Sequence, residues 1–152
     1  MASSTHHGPG THASVIVAHD AQGKVALLST RFPQHGDGEY LFLPGGRQET
    51  GETPEECARR ELREEAGVTA ETWRPLGSYA MTLDSPARLS LYLAEGLTLG
   101  PQELTDTEAD FKLTWWPLAA AITAATEGRF LLLGGPLALL LAERAITRRN
   151  AA

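Results

Sequence analysis

Apolar and polar positions alternate with a period of two along most of the chain, and the period changes to a helical one in three places. Residues 13–20 (ASVIVAHD) form a β-branched run that predicts a strand, 21–24 (AQGK) a turn, and 25–32 (VALLSTRF) the returning strand. After a loop at 33–39, the short apolar run 40–44 predicts a third strand that Pro44 closes. Residues 72–82, 87–97 and 111–117 repeat the strand pattern, with the acidic loop 100–110 before the last of them. The helical period appears at 54–66, at 118–128, and at 135–149, where Pro136 suits a first turn. This order predicts an α/β fold, a mixed β-sheet with helices packed on both faces in an α/β/α sandwich. No repeat divides the chain, so 14–148 is expected to be one domain preceded by a flexible polar tail, 1–13. That tail carries His6, His7 and His12, which lack partner ligands nearby in sequence.

Composition narrows the function classes. The chain has 152 residues, 42% hydrophobic and 21% charged, which suits one packed core. Its net charge of -6 gives no electrostatic basis for holding long nucleic acid, although a small anionic substrate is compatible if metal ions supply positive charge locally. Cys57 is the one cysteine, so no intrachain disulfide forms, and no signal-peptide pattern opens the chain; a cytoplasmic location is expected. The most apolar run, 130–142, is too short for a bilayer and is broken by Gly-Gly-Pro, so no membrane partner is expected.

The chemistry concentrates at 45–68 (GGRQETGETPEECARRELREEAGV). Thr53 is placed to cap a helix, Pro54 fits its first position, Glu56 completes a capping box, and Gly67 supplies a left-handed stop. On that helix Glu61, Glu64 and Glu65 share one arc of about 100°, Ala58, Leu62 and Ala66 take the neighbouring arc, and Arg59 and Arg63 point to solvent. Crowded carboxylates repel unless a cation sits among them, and oxygen ligands suit Mg²⁺ or Mn²⁺ rather than zinc. Two such ions would clamp a phosphoanhydride and activate a water. A solvated helix face with interleaved arginines is the alternative. Cys57, on the same arc, is read as filling a small space against the core, with a redox-sensitive thiol as the other reading.

The stretch resembles the signature of the Nudix hydrolase family, matching it at Gly46, Glu52, Arg60, Glu61, Leu62, Glu64, Glu65, Gly67 and Val68. The resemblance implies metal ligation by Glu61, Glu64, Glu65 and the Gly45 carbonyl, with Mg²⁺ as cofactor and Mn²⁺ as a substitute. It implies that Glu52 holds Arg60, bracing the loop against the helix, and that Gly46 allows close backbone approach. The reaction implied is hydrolysis of a nucleoside diphosphate linked to another group, a small nucleotide-type substrate. Glu64 and Glu65 are candidate general bases, and in several subfamilies a later loop supplies one; here Glu108 is favoured, just before the strand that begins at Phe111. Many relatives are dimers, so a homodimer is an expectation of the same kind.

For the substrate, the resemblance leans towards ADP-ribose or a nucleotide sugar. Pro86 follows the motif at about the place where those enzymes carry a proline, and the acidic loop, FKLTWWPL and the closing helix are similar. A house-cleaning nucleoside triphosphate pyrophosphohydrolase and a non-catalytic nucleotide sensor are the alternatives. Arg31 and Arg88 are candidates for meeting phosphates or a terminal ribose. Tyr40, Phe42, Tyr79 and Tyr92 could stack on a base, and the adjacent Trp115 and Trp116 must face opposite sides of their strand.

Overall fold

A computed structural model of the chain describes residues 12–152. The expected tail therefore lies outside the described residues up to position 11, His6 and His7 included. Among the described residues the elements run β1 (Ala13–Ala18), β2 (Lys24–Phe32), β3 (Gly38–Phe42), β4 (Gly45–Arg47), α1 (Pro54–Ala66), β5 (Val68–Ala80), β6 (Arg88–Leu99), β7 (Lys112–Pro117), α2 (Leu118–Thr126) and α3 (Gly134–Ala151). Short 3₁₀ turns occupy Pro33–His35 and Asp106–Glu108.

The strands form two sheets where the sequence suggested one. The first has the order β4-β1-β6-β5 and is mixed, since β1 and β6 run parallel and its other pairs antiparallel; the second, β3-β2-β7, is antiparallel throughout. The division has a local cause. The stretch read as a glycine-rich loop contributes β4, which takes one edge of β1 at Val15–Gly45, while β6 takes the other. The turn partner β2 then keeps a single bridge, His19 to Val25, and pairs with β3 and β7 instead.

Alternation along the strands assigns side chains to two layers. Ile16, Ala18, Tyr92 and Ala94 pack with Ala58, Leu62 and Ala66 of α1, while Val17, Leu89, Leu91 and Leu93 pack with Ala121, Ala138, Leu139 and Ala142 of α2 and α3. Helices thus cover both sides, and each fully buried leucine contributes about 2 kcal/mol. The two tryptophans separate as strand geometry requires, Trp115 towards the α1 layer and Trp116 towards the other, under the Arg129 guanidinium at 5.2 Å. Gly134 seats the start of α3 against Leu89 and Val15. Near the other end of α3, Arg149 Nη1 donates to Glu95 at 2.6 Å, and the same carboxylate is 2.9 Å from His19 Nδ1. No described helix is long and apolar enough to cross a membrane.

Helix α1 begins and ends as its sequence dictates. Thr53 Oγ1 accepts the Glu56 amide at 3.1 Å and Glu56 Oε1 accepts the Thr53 amide at 2.8 Å, with Pro54 at the first helical position. Gly67 takes φ +69° and donates its amide to Arg63 O at 2.9 Å. A side chain at Gly67 would also strike Gly100 O and Pro101. Gly51, by contrast, has φ +85° but open space around it. Gly67→Ala should therefore cost about 2 kcal/mol or more in urea unfolding, and Gly51→Ala only about 1 kcal/mol; equal losses would mean that the contact with the 100–101 backbone carries no weight.

Candidate functional site

The site is built from three segments that converge on α1. The first is β4. Its Gly45 packs so closely on Ser14 O that a side chain would not fit, and its amide donates to Glu65 Oε1 at 2.9 Å. Gly46 sits against the Glu61 carboxylate, which occupies the place a Cβ would take. Glycine is needed here by the helix itself, a reason independent of any ligand.

The second segment is the loop 48–53. Glu52 accepts the Glu49 amide at 2.8 Å, and Gln48 Nε2 reaches Glu52 O at 2.5 Å. The Glu52 carboxylate faces Arg60 as a fork, with Nε to Oε2 at 2.6 Å and Nη2 to Oε1 at 3.1 Å. Arg60 also donates to Arg47 O at 3.0 Å and lies 3.2 Å from Glu64 and 3.4 Å from Glu61. The pairing holds Glu52 below the usual carboxylate range and raises Arg60 further.

The third segment is the loop before β7. Glu103 donates its amide to Glu64 O at 2.7 Å, Gln102 Nε2 donates to Glu65 O at 2.8 Å, and Gly100 donates to Gly67 O at 2.6 Å. These bonds satisfy carbonyls that the last turn of α1 leaves without helical partners. They also set the position of the 3₁₀ turn that carries Glu108, whose Oε1 accepts the Thr105 amide at 3.1 Å.

The result is a cluster of Glu61, Glu65 and Glu108, each offering a carboxylate oxygen within 4.8 Å of the others. Glu61 is 8% exposed and Glu65 4%. Burial pushes Glu65 up to about 9, with Glu61 and Glu108 adding to the rise and the Gly45 amide opposing it. Burial likewise pushes Glu61 to about 7, against the pull of Arg60 and reinforced by Glu64 and Glu108. Uncompensated carboxylates do not persist in such a place, so the donor set fits a hard divalent cation bound through oxygen.

Of the sequence candidates, Glu61, Glu65 and Glu108 come together. Glu64 turns to Arg60, and the contact that Gly45 makes is through its amide. Arg31 lies on the exposed rim of a cavity of about 610 Å³ that begins one residue beyond Glu108 and is lined also by Thr30, Glu39, Phe111 and Lys112. Its guanidinium is 3.3 Å from Asp37. Phe111 packs edge-on to Phe42 at 4.9 Å, and Phe42 and Tyr92 are core residues rather than free stacking surfaces. Lys112 and Phe111 were not singled out from sequence; alternation around 111–117 places them but nothing in it marks a cavity. Arg88 lies apart from the carboxylates, donating to Ser78 O at 2.7 Å on β5. His12, read as part of the tail, belongs to the folded body, its Nδ1 accepting the Arg88 amide at 3.1 Å. Cys57 is fully buried with Sγ 3.5 Å from Gly46 O, and burial raises its thiol to about 11, which favours the packing role over a reactive thiol.

Comparison with known proteins agrees with this geometry. The NUDIX domain family matches residues 9–133, and the chain belongs to the Nudix family. It is 36% identical over 124 residues to the ADP-ribose pyrophosphatase of Mycobacterium tuberculosis, covering 76% of this chain and 57% of that one. It is 34% identical over 108 residues to the NAD-capped RNA hydrolase NudC of Vibrio atlanticus, covering 68% and 39%. The chain thus spans about half the length of these relatives. In fold it is similar to a solved ADP compounds hydrolase, with a TM-score of 0.77 at 23% identity over 93% of this chain and 75% of that one. A second solved likeness is to MutT, from a study of the Aliivibrio salmonicida and Vibrio cholerae proteins, with a TM-score of 0.64 at 19% identity over 88% and 97%.

The raised carboxylates give a signed pH dependence. A carboxylate whose folded pKa exceeds its unfolded value keeps a proton on folding, so its contribution is complete below about pH 4.5 and is lost as pH rises towards about 7 for Glu61 and about 9 for Glu65. Metal-free protein in EDTA should therefore melt lower at pH 9 than at pH 5.5, and Mg²⁺ should restore the melting temperature at the higher pH while doing little at the lower. A melting temperature in EDTA that stays level or rises across this window would contradict the burial of these carboxylates.

Proposed function

We propose that the protein is a divalent-cation-dependent pyrophosphohydrolase that cleaves a nucleoside diphosphate linked to another group, with ADP-ribose favoured. The observation that carries this reading is the Glu61–Glu65–Glu108 cluster, its two helix carboxyls buried and Glu108 partly so, held by a glycine-rich strand on one side and an acidic loop on the other. The similarity to an ADP-ribose pyrophosphatase supports the substrate half of it.

Glu61 and Glu65 would hold the cation, Mg²⁺ or Mn²⁺, with Glu64 and the Gly45 carbonyl as further oxygen donors at the rim. When bound, such an ion neutralises charge on the diphosphate oxygens and lowers the pKa of a coordinated water. The rest falls to the chain. Glu108, positioned by the Thr105 amide, takes the proton from the attacking water. The new P–O bond forms to one phosphorus, the anhydride P–O bond breaks, and the second phosphate leaves with its own half of the substrate. Glu52 fixes Arg60, which keeps the loop against the helix and steadies Glu64. The cavity that begins beyond Glu108 would receive one half of the substrate, with Arg31 and Lys112 as rim cations and Phe111 as an apolar wall.

Glu65→Gln should lower kcat on the order of a hundredfold or more without loss of folding, read from product release and the melting temperature; full activity would remove Glu65 from the reaction. Glu108→Gln should lower kcat with cation affinity nearly unchanged, whereas a loss of cation affinity with little change in kcat at saturating Mg²⁺ would make Glu108 a ligand and not the base. Incubation with Mg²⁺ and a panel of ADP-ribose, nucleotide sugars, dinucleotides and nucleoside triphosphates should yield AMP plus ribose 5-phosphate. Pyrophosphate released from triphosphates alone would favour the house-cleaning reading, and binding without turnover of any compound a sensor.

A further inference from the structure

A second cavity lies beside the first turn of α1, at the β4-β1-β6-β5 sheet. It has a volume of about 210 Å³ and is lined by His12, Gln48, Pro54, Ser78, Arg88 and Ser90. Among the described residues no acidic side chain lines it, the clustered carboxylates included, in a chain whose net charge is -6. A nucleoside needs more room, since small-molecule pockets run from about 300 Å³ upwards. A phosphate group fits.

The lining offers donors. Ser90 stands in a row with Ser14 and Ser78 across β1, β6 and β5. Ser14 Oγ is engaged, donating to Pro54 O at 2.9 Å. Ser90 is 8% exposed, lines the cavity, and its hydroxyl has no hydrogen-bond partner among the described residues. Ser78 Oγ accepts from Arg88 Nε at 3.3 Å, so its own proton is available. Arg88 is anchored by Nη2 to Ser78 O, which leaves Nη1 uncommitted among the described residues. The His12 ring accepts the Arg88 amide at Nδ1, so in its neutral form the proton sits on Nε2 and that nitrogen donates. Two hydroxyls, a guanidinium and an imidazole N–H make a donor set for a tetrahedral oxyanion, and the planar fork of arginine matches phosphate oxygens.

We propose that this cavity is a phosphate-binding site, distinct from the carboxylate cluster, with Arg88 and Ser90 as its principal contacts. The site is joined to the loop that braces α1. The Gln48 amide donates to His12 O at 2.9 Å and the Gln48 side chain to Glu52 O, and Glu52 in turn holds Arg60. An anion gathered by His12 and Arg88 tightens residues 48–52 through the bonds of Gln48 to His12 O and Glu52 O. The proposal stands on its own lining residues and does not depend on which bond the carboxylate cluster cleaves.

The test is calorimetric titration of the full chain with inorganic phosphate in EDTA, which removes any cation that could draw the anion to the carboxylate cluster. Saturable binding of one phosphate is expected, weakened at least tenfold by Arg88→Ala and severalfold by Ser90→Ala, with amide exchange at 48–52 slowed by phosphate in the unaltered protein. Ser90→Ala removes one oxygen from a strand and decides the matter even if Arg88→Ala fails to fold. A parallel titration with ribose 5-phosphate separates the sources: tighter binding than inorganic phosphate assigns the site to a phosphate monoester, equal binding to the phosphate group alone, and either supports the site. No saturation, or affinity unchanged in both variants, overturns it.

Discussion

The Arg60 guanidinium is the cation on which the loop–helix unit closes. Four carboxylates lie within 4.0 Å of it, those of Glu49, Glu52, Glu61 and Glu64, and it also reaches the Arg47 carbonyl. Only the fork with Glu52 has the geometry of a strong bidentate pair. With the bond to the Arg47 carbonyl, that pair brackets the loop and makes it a wall against which α1 can present acidic side chains. Without a cation at this position, the acidic side chains of the loop and the helix would meet as like charges.

Arg60 reaches only part of the cluster. It partly compensates Glu61, and it leaves Glu65 to the amide of Gly45 and to the neighbouring carboxylates that raise it. The fold therefore spends stability at one face of α1 and recovers it elsewhere, through the capping box, the apolar arc of Ala58, Leu62 and Ala66, and the bonds that the 100–103 loop makes to the last carbonyls of the helix. Stability given up where chemistry is done is the common pattern of active sites. The same loop bonds serve twice, ending the helix and delivering Glu108.

Local signals carried most of α1. Thr53, Pro54, Glu56 and Gly67 act within a few residues of themselves, and the structure has each in the role that its spacing predicts. The strands were also legible, because Val17 and Leu91 alternate with Ile16 and Tyr92 regardless of partners. What the sequence concealed was set by distant segments. β4 reads as a loop because two of its three residues are glycines, chosen for the close approach of Ser14 and Glu61 and not for strand propensity. The division into two sheets depends on which neighbours β1 acquires. The meeting of Glu108 with Glu61 and Glu65 depends on bonds from Gln102 and Glu103, and the turn of Glu64 towards Arg60 on a competition between partners that spacing alone leaves open.

Helix α3 ties late chain to early chain. Its Ala138, Leu139 and Ala142 complete the layer that Val17 of β1 begins, Gly134 rests on Val15, and Arg149 closes on the Glu95–His19 pair at the far end. During synthesis β1 emerges long before α3, so one side of the central sheet stays open to water until residues past about 142 have left the ribosome. The carboxylate face of α1 can be assembled by then, but it will rest on a half-covered sheet. Contacts of such long sequence separation slow folding and leave apolar strand faces exposed in the interval. The nascent protein is thus most prone to association just before α3 docks, a vulnerability of timing rather than of the folded molecule.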